Sequence, residues 1–384
     1  MKIGILIDSL DKIGGIGKIA ISEVIELQKI GIDAELLVFN NSNINKYELE
    51  NIKINVNFLE DVIDKNLRLN IKIPGFTILN ISHFLYPFIY ILKTKSKQWD
   101  IIICHESYLM PYAILLKLFK NIKIIYYNWD PVLYIYNRVY SLHHSKIKKL
   151  IYNCIYFNLD RLFIKFSNIV LTGGRSHYAY LNEFAPNKTH ILYPGVEPKK
   201  ISSSKKEMSI FIVTAWKNGK NPEYILEIAN KLPMYKFKIG GMWLDDDYLN
   251  NFIKYVNEKS KFNNVIILGS LTELELIENY SNSHVVLQTN DDRGFGMPAY
   301  EAAACSTTFV IPKGQGVCDL FIDEIHGFFV EEFHTEEIVM RLEFLYNNPN
   351  RAVEMGQSAF NLIKTKYSNY MHGKNLLEII DATI

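Results

Sequence analysis

Residues 284–301 read HVVLQTNDDRGFGMPAYE, and this stretch decides the fold of the chain. The apolar run from His284 to Thr289 ends abruptly in polar residues, a pattern typical of a short buried strand. The Gly-Phe-Gly at 294–296 predicts a turn in which the backbone can approach a ligand closely, because glycine has no Cβ. Pro298 suits the first turn of a helix whose free N–H groups face the same space, and Glu301 follows in that helix. A strand, a glycine loop and a helix start that bears a carboxylate predict a pocket for a nucleotide sugar.

Alternating strand and helix patterns on both sides of this stretch predict two α/β domains. Lys2–Ile7 reads as a buried parallel strand, and a glycine-rich turn and a helix from about Lys18 to Ile30 follow it. Lys199–Glu207 is rich in serine and lysine and reads as the linker between the domains. Further strands are predicted at 34–39, 52–58, 99–104, 122–127, 168–172, 209–214, 236–240, 265–268, 285–289 and 308–311.

Size and composition exclude several classes of protein. A chain of 384 residues is long enough for two domains, and a net charge of +1 argues against a dedicated nucleic-acid binder. The four cysteines are widely spaced without a Cys-x-x-Cys pair, which predicts neither a disulfide framework nor a zinc site. The apolar start of the chain is too short for a signal peptide. We therefore expect a cytoplasmic protein.

Two segments bear on contact with a membrane. Residues 73–92 contain no Asp, Glu, Lys or Arg, but prolines and polar residues interrupt them, so a buried or membrane-facing helix is favoured over a span. Residues 134–166 carry six basic side chains, interleaved with aromatic ones, against the single acid Asp160. Such helices can lie on an anionic membrane surface as a peripheral contact. Ordinary helices with aromatic cores and solvated lysines are the alternative.

The stretch at 284–301 resembles the donor site of GT-B glycosyltransferases, the retaining family 4 in particular. That family usually carries Glu-Gly-Phe-Gly-Leu-Pro and a second Glu further on. The residues that match in order and spacing are Gly294, Phe295, Gly296, Met297, Pro298 and Glu301. The resemblance implies that Glu301 binds the ribose hydroxyls, a task for two accepting oxygens. Arg293 stands where the family has its first Glu, so either Asp292 contacts the donor sugar or sugar recognition differs.

Ile212–Pro222 resembles the family's strand followed by Gly-Arg-x-x-x-x-Lys-Asn/Gly. Lys220 matches the lysine that neutralises the donor diphosphate and stabilises it as a leaving group. Ala215 occupies the position of the arginine, so half of the cationic pair is missing. We expect Lys217, or Arg293 from the neighbouring loop, to supply that charge.

The end of the fourth predicted strand carries a third motif. Asp100–Glu106 resembles the family's Asp-Val-Val-x-x-His-Glu, and strand ends are where α/β sheets bind ligands. The resemblance implies that His105 approaches the transferred sugar in the reaction centre, with Glu106 on the acceptor side. Trp129 and Asp130 end the next strand at the same edge, and we assign them to the acceptor side as well.

Gly15 and Gly17 belong to a formal Gly-x-Gly-x-x-Ala match, which raises a dinucleotide enzyme as an alternative. The first glycine lies several residues beyond the strand, and no acid ends the second strand, so this alternative is disfavoured. The resemblance implies instead that these glycines face the donor diphosphate and sugar through backbone N–H groups. A purely structural loop is the remaining alternative.

The run Asp245–Asp247 resembles the Asp-x-Asp that holds a metal in the other glycosyltransferase fold. It follows Gly240 and Gly241, where an N-cap with an acidic first turn is the favoured interpretation. We therefore expect neither a metal nor another cofactor. Gly314–Asp319 resembles the last donor-side loop of the family, with Asp319 in place of a Glu.

The resemblance covers nearly the full chain and implies the GT-B architecture of two Rossmann-like domains facing across a cleft. The expected parts are an acceptor-side domain at 1–198, a donor domain at 199–366 and a helix at 367–384 that returns to the first domain. The implied function is metal-independent, retaining transfer of a sugar, of hexosyltransferase type, from a UDP- or GDP-sugar to a glycan or lipid-linked acceptor. Two alternatives stay open. One is a nucleotide-sugar binding protein without turnover, favoured by Arg293 and Ala215, and the other is a phosphorylase or epimerase on the same architecture.

Overall fold

The chain folds into two compact units, Met1–Gly195 with Asn369–Ile384, and Val196–Ser368. Each unit is an α/β domain built on one parallel sheet, as the sequence predicted. The computed structural model describes residues 1–10, 15–39, 54–59, 85, 88–89, 99–137, 141, 144–199, 206–216, 220–243, 245–289 and 294–383.

The N-terminal unit alternates strands and helices along the chain. Its first half comprises β1 (Lys2–Ile7), α1 (Gly15–Lys29), β2 (Asp33–Val38), β3 (Val56–Phe58) and β4 (Ile101–Cys104). A short 3-10 helix (Ser107–Leu109), α2 (Met110–Lys120), β5 (Lys123–Tyr127), α3 (Val132–Ile135) and α4 (Lys146–Phe166) follow. The unit continues with β6 (Ile169–Thr172), α5 (Arg175–Phe184) and β7 (Thr189–Ile191).

The strands of this unit form one sheet in the order β3-β2-β1-β4-β5-β6-β7. Apolar side chains fill both faces of the central strands, and Ile3, Ile5 and Ile103 are fully buried. Such a sheet needs helices on both sides, which explains why its strands read as continuous apolar runs. The order of strands reverses between β1 and β4, and this switch point is where open α/β sheets bind ligands.

The C-terminal unit has the same alternation of strands and helices on one parallel sheet. It contains β8 (Glu207–Val213), α6 (Pro222–Ala229), β9 (Lys236–Gly240), α7 (Asp246–Lys259), β10 (Val265–Gly269), α8 (Glu273–Asn282) and β11 (Ser283–Leu287). It continues with α9 (Met297–Ala304), β12 (Thr308–Pro312), a 3-10 helix (Gly316–Asp319), β13 (Phe328–Val330), α10 (Thr335–Asn347) and α11 (Pro349–Lys366). The sheet order is β10-β9-β8-β11-β12-β13, with its switch point between β8 and β11.

The last helix, α12 (Asn369–Thr383), belongs to the N-terminal unit, where it packs against α1. Close approach is possible because Gly373 has no side chain, and a Cβ there would lie 2.8 Å from the Cβ of Glu26. The side chain of His372 reaches Glu23 of α1 over 2.8 Å.

Several local predictions need correction. Helix α1 begins at Gly15 and not near Lys18, so Gly15 and Gly17 lie in its first turn and not in a loop before it. Glycine is tolerated there because the first N–H groups of a helix need no partner within the helix. The strands β7 and β13 were not predicted, since each has only three residues and shows no alternation.

In segment 134–166, the described residues include the end of α3 and the whole of α4, and several of their aromatic side chains pack inward. Tyr136, Tyr156 and Phe163 are buried in the core, whereas Lys146 and Lys148 are exposed. Nearly all of segment 73–92 lies outside the described residues. Within the described part of the chain, no helix is both long and apolar enough to cross a membrane.

Candidate active site

Three loops meet at one edge of the C-terminal sheet. The parallel strands β8, β11 and β12 are neighbours, so the loops that leave their carboxyl ends are neighbours too. These loops lead to Lys220, to Gly294–Gly296 and to Gln315. They surround the switch point between β8 and β11, which is where this type of sheet binds ligands.

The Gly-Phe-Gly loop is held by the loop after β12. The N–H of Gly316 donates to the carbonyl of Gly294 over 3.0 Å, and the N–H of Val317 donates to the carbonyl of Phe295 over 2.7 Å. Gly296 caps α9 with φ +91°, and a Cβ at this position would lie 2.4 Å from Oε1 of Gln315. A glycine is therefore required at 296 by the protein itself.

Gly294 differs from Gly296 in what surrounds it. Among the residues that the structure describes, no atom would lie within 4 Å of a Cβ at position 294. Packing against these residues therefore does not explain a glycine at 294, whereas close approach of a ligand would. Phe295 packs edge-on against the ring of Tyr300 with centroids 5.0 Å apart, and the half-buried Met297 begins α9.

Glu301 is oriented by a buried tyrosine. The hydroxyl of Tyr280 donates to Oε2 of Glu301 over 2.7 Å, and burial raises the pKa of Tyr280 well above its usual range. The ring of Tyr280 packs edge-on against Phe211, with centroids 5.1 Å apart. Tyr280 lies in α8 and in none of the motifs, so no sequence pattern indicated this role.

Lys220 is a buried lysine with only 9 % of its surface exposed. The next residue, Asn221, has the left-handed conformation (φ 44°, ψ 61°), and Pro222 then begins α6. Asparagine and glycine adopt this conformation most readily, which explains the Lys-Asn/Gly pattern on physical grounds. Lys217, Asp292 and Arg293 lie outside the described residues, so the expected replacement of the missing arginine and glutamate stays a prediction.

His105 lies at the switch point of the N-terminal sheet, directly after β4. Its Nε2 is 2.8 Å from Oε2 of Glu23, and its Nδ1 accepts a hydrogen bond from the indole N–H of Trp129 over 3.2 Å. An indole nitrogen only donates, so Nδ1 carries no proton and Nε2–H donates to Glu23. The ring is buried, with both nitrogens engaged within the protein.

Glu23 of α1 was not predicted as a site residue, and it is fully buried. Its Oε1 lies 2.8 Å from Nε2 of His372, whose Nδ1 lies 2.7 Å from the carbonyl oxygen of Tyr193. Burial alone would raise the pKa of Glu23, but its interactions with His105 and His372 outweigh the effect of burial and bring this pKa to about 2. The carboxylate is therefore ionised.

The residues assigned to the acceptor side have partners of their own. Glu106 accepts hydrogen bonds from the N–H of Asp8 and, over 2.7 Å, from the hydroxyl of Tyr108; burial raises its pKa. The half-buried Trp129 stacks on Tyr127 with centroids 4.1 Å apart. The indole of Trp129 is part-exposed and can therefore contact a ligand.

The structure also describes Asp130, the two glycines of α1 and the acidic run at 245–247. Oδ1 of Asp130 is 3.7 Å from Nε2 of His177. In the first turn of α1, Gly15 is exposed and Gly17 is buried. Asp245 caps α7 by accepting from the N–H of Asp247 over 2.9 Å, which confirms the N-cap interpretation of the acidic run.

Two Rossmann-like sheets, each with its loops gathered at a switch point, define the class of fold as GT-B. Residues 196–362 match the family model described as Glycosyl transferases group 1. The C-terminal unit therefore carries a glycosyl transferases group 1 domain, and the chain is a glycosyltransferase. No curated protein is similar enough in sequence to match the chain.

Solved structures similar to this chain have the same fold throughout. HepE of Anabaena in complex with UDP and glucose is 15% identical with a TM-score of 0.77, and the alignment covers 100% of both chains. Sucrose-phosphate synthase of Thermosynechococcus elongatus is 12% identical with a TM-score of 0.78, covering 100% of this chain and 98% of its own. A TarM mutant of S. aureus, in complex with UDP and α-GlcNAc-glycerol among others, is 14% identical with a TM-score of 0.77 and coverage of 99% and 100%. At these identities the likeness establishes the fold alone.

Proposed function

We propose that this glycosyltransferase moves a sugar from a nucleotide-diphosphate sugar, first of all a UDP-sugar, to an acceptor hydroxyl with retention and without a metal. The observation that carries the proposal is the topology: Lys220 follows β8, and the Gly294–Gly296 loop and Glu301 follow its parallel neighbour β11, at the switch point of the sheet. The choice of UDP is supported by the similar structures of HepE and TarM, which contain UDP. A GDP-sugar is the other donor to test.

Each group at this edge suits one part of such a donor. The carboxylate of Glu301 offers accepting oxygens to the ribose hydroxyls, and Tyr280 fixes its orientation. The free N–H groups at the start of α9 favour an anion, and the ammonium group of Lys220 would stabilise negative charge on the leaving diphosphate. Open space beside Gly294 leaves room for a ligand to approach the backbone. In this proposal the diphosphate also takes the acceptor proton, on the same face.

One alternative is supported by a specific observation. Ala215 replaces the arginine of the diphosphate pair, and Arg293 replaces a glutamate, so a nucleotide-sugar binding protein without turnover is the second candidate. Product analysis after incubation with UDP-glucose separates the two. Released UDP with a glycosylated acceptor supports transfer, and an unchanged donor that still binds supports the alternative. A sugar phosphate or an epimerised donor would indicate a phosphorylase or an epimerase.

The donor site itself is tested by thermal unfolding with UDP, GDP and ADP. A ligand that binds only the native state raises the melting temperature by mass action. Selective stabilisation by one nucleotide that is absent in Glu301→Ala would support the site and identify the base. If none of the three nucleotides changes the melting temperature of the unsubstituted chain, the proposed donor site is wrong.

A surface on α4 supports peripheral contact with an anionic membrane and, with it, a lipid-linked acceptor; a soluble glycan is the other acceptor class. Ile147, Leu150 and Ile151 form one helical stripe with exposed fractions of 75%, 73% and 54%. Lysines flank this stripe at 146, 148 and 149, and the only acid of the segment, Asp160, is buried. We call these six residues, 146–151, the α4 surface. Apolar side chains beside cations suit the boundary of an anionic bilayer, and we place this contact on the cytoplasmic side of the membrane.

A further inference from the structure

Beneath the switch point of the N-terminal sheet, one buried carboxylate is shared by two imidazole rings. Oε2 of Glu23 is 2.8 Å from Nε2 of His105, and Oε1 is 2.8 Å from Nε2 of His372. Glu23 lies in α1, His105 follows β4, and His372 lies in α12. None of the three side chains is more than 1% exposed, so their hydrogen bonds are shielded from water.

The outer partners of the two rings fix where the protons lie. Trp129 donates its indole N–H to Nδ1 of His105, which leaves the proton of this ring on Nε2. The carbonyl oxygen of Tyr193 only accepts, so Nδ1 of His372 carries a proton. Nε2 of His372 and Oε1 of Glu23 share one proton over 2.8 Å, and we assign this proton to the ring, which makes His372 an imidazolium and leaves Glu23 ionised. The cluster is thus neutral overall, with one anion, one cation and one neutral imidazole.

We propose that Glu23 is a positioning residue of the active site, which holds His105 in the Nε2–H tautomer and thereby fixes the indole of Trp129, while His372 balances its charge. Its importance for transfer rests on the function proposed above. The chain of contacts ends at Trp129, the half-buried member, whose six-membered ring lies against Gly173. A Cβ at position 173 would lie 2.8 Å from this ring, so the glycine makes room for the indole.

A carboxylate is the group that this arrangement needs. Two N–H donors point at Glu23 from opposite sides, and a carboxylate offers an accepting oxygen to each. Burying an ion pair seldom gains stability over an apolar core of the same shape. A buried pair directly beneath a strand-end histidine is better explained by the need to hold that histidine and the indole in one orientation.

The test is ¹⁵N NMR of the histidine side chains in the full-length protein, with the signals of His105 and His372 identified by substituting each. We expect Nε2–H and a bare Nδ1 for His105 and two protonated nitrogens for His372. Glu23→Gln offers one accepting oxygen and one NH₂ donor. The indole N–H at Nδ1 favours the orientation in which the amide oxygen accepts from Nε2–H of His105 and the NH₂ group faces His372. His372 should therefore give up its Nε2 proton while His105 keeps its tautomer. In Glu23→Ala the signals of His105 should become those of mixed tautomers.

Glu26→Gln is the matched control. Glu26 is a second buried carboxylate on the same helix and packs against α12, but its Oε1 pairs with Lys29 at 2.7 Å. This substitution should leave the signals of both histidines unchanged. Mixed tautomers of His105 in the unsubstituted protein, or an imidazolium signal of His372 that survives in Glu23→Gln, would overturn the proposal.

Turnover of UDP-glucose provides the functional half of the test. Outer hydrogen-bond partners that orient metal-bound histidines typically contribute about 10- to 100-fold to activity, and we take this range as the guide for a residue that orients His105. We expect Glu23→Ala to lower kcat by that factor with little change in KM for the donor, and Glu23→Gln to recover part of the loss. A loss in Glu23→Ala no larger than in Glu26→Gln would contradict a positioning role. If the unsubstituted protein turns over no sugar nucleotide, the proposed function fails, and the NMR result alone decides the hydrogen-bond assignment.

Discussion

The hydroxyl of Tyr280 donates a hydrogen bond to Oε2 of Glu301 over 2.7 Å, so a residue of α8 fixes the carboxylate at the start of α9. Tyr280 is itself anchored, because the side chain of Thr307 donates to its backbone carbonyl over 2.6 Å. The carboxylate of Glu301, which we propose to bind the donor, therefore has one defined orientation before any ligand binds. Preorganisation of this kind lowers the entropic cost of binding.

Tyr280→Phe should weaken binding of the preferred nucleotide without unfolding the protein. The substitution removes a hydrogen bond to a charged group, which is typically about 1.5 kcal/mol, or roughly tenfold in Kd. Isothermal calorimetry measures the change. Tyr300→Phe is the matched control, because the hydroxyl of Tyr300 donates to the carbonyl of Tyr367 over 3.2 Å. Equal losses of affinity in both variants would argue against orientation of Glu301 by Tyr280.

Substitution of the two glycines of the Gly-Phe-Gly loop by alanine should affect different properties: stability for Gly296 and nucleotide affinity for Gly294. Gly296→Ala combines φ +91° with a clash against Gln315, so we expect a loss of about 1 to 3 kcal/mol in stability without ligand. The Cβ of Gly294→Ala meets no atom within 4 Å in the described part of the chain, so stability should be unchanged while nucleotide affinity falls. Chemical unfolding and calorimetry separate the two effects. Unchanged affinity in Gly294→Ala would mean that no ligand fills the space beside Gly294.

Acid should destabilise the C-terminal unit through His284. Burial first, and then the charge of Lys206, lower the pKa of His284 to about 4, whereas the unfolded value is 6.5. Between these values the unfolded state binds more protons, so the stabilising contribution is complete above pH 6.5 and is lost as the pH falls toward 4. The loss between pH 7 and pH 5 is about 2 kcal/mol.

Urea unfolding at the two pH values measures this dependence. His284→Phe removes the titrating group, and the hydroxyl of Tyr235 still donates to the carbonyl of Leu342 over 3.2 Å. This variant should therefore have a smaller loss of stability on acidification. The same loss in the variant and in the unsubstituted protein would assign the acid sensitivity to other groups.

The α4 surface should bind vesicles that contain phosphatidylglycerol. Ile147→Ser combined with Leu150→Ser should abolish binding with little effect on stability, because both side chains are mostly exposed. Lys146→Gln should weaken it by about 1 kcal/mol, or roughly fivefold, at low salt. Cosedimentation measures binding, with phosphatidylcholine vesicles as the control. Equal binding to both types of vesicle would rule out recognition of anionic lipid.

The sequence predicted those parts of the fold and of the site that depend only on residues close together in the chain. The turn at 294–296 and the helix start at Pro298 follow from the backbone needs of a few neighbouring residues, and the structure confirms both. The start of α1 was placed too late, because glycine is a poor helix former in general but is tolerated in a first turn.

The roles of other site residues depend on contacts between distant parts of the sequence, which no short pattern can indicate. Glu23 and His372 are 349 positions apart in sequence, and Tyr280 and Glu301 are 21 apart and lie in different helices. Their roles depend on how the elements pack, so a motif that spans a few residues contains no signal for them. Lys217, Asp292 and Arg293 remain predictions, since they lie outside the described residues.

The N-terminal unit is made from two separate pieces of chain, and this has a consequence for biosynthesis. Its larger piece ends at Gly195, whereas the piece that supplies His372 begins only at Asn369. A ribosome needs roughly 10 to 35 s to add the intervening residues. Throughout that interval Glu23 lacks its hydrogen bond with His372, and the face of α1 that α12 will cover is not yet covered by that helix. The domain that emerges first is therefore the last to be completed, and a chain that stops short of α12 is a natural substrate for chaperones and proteases.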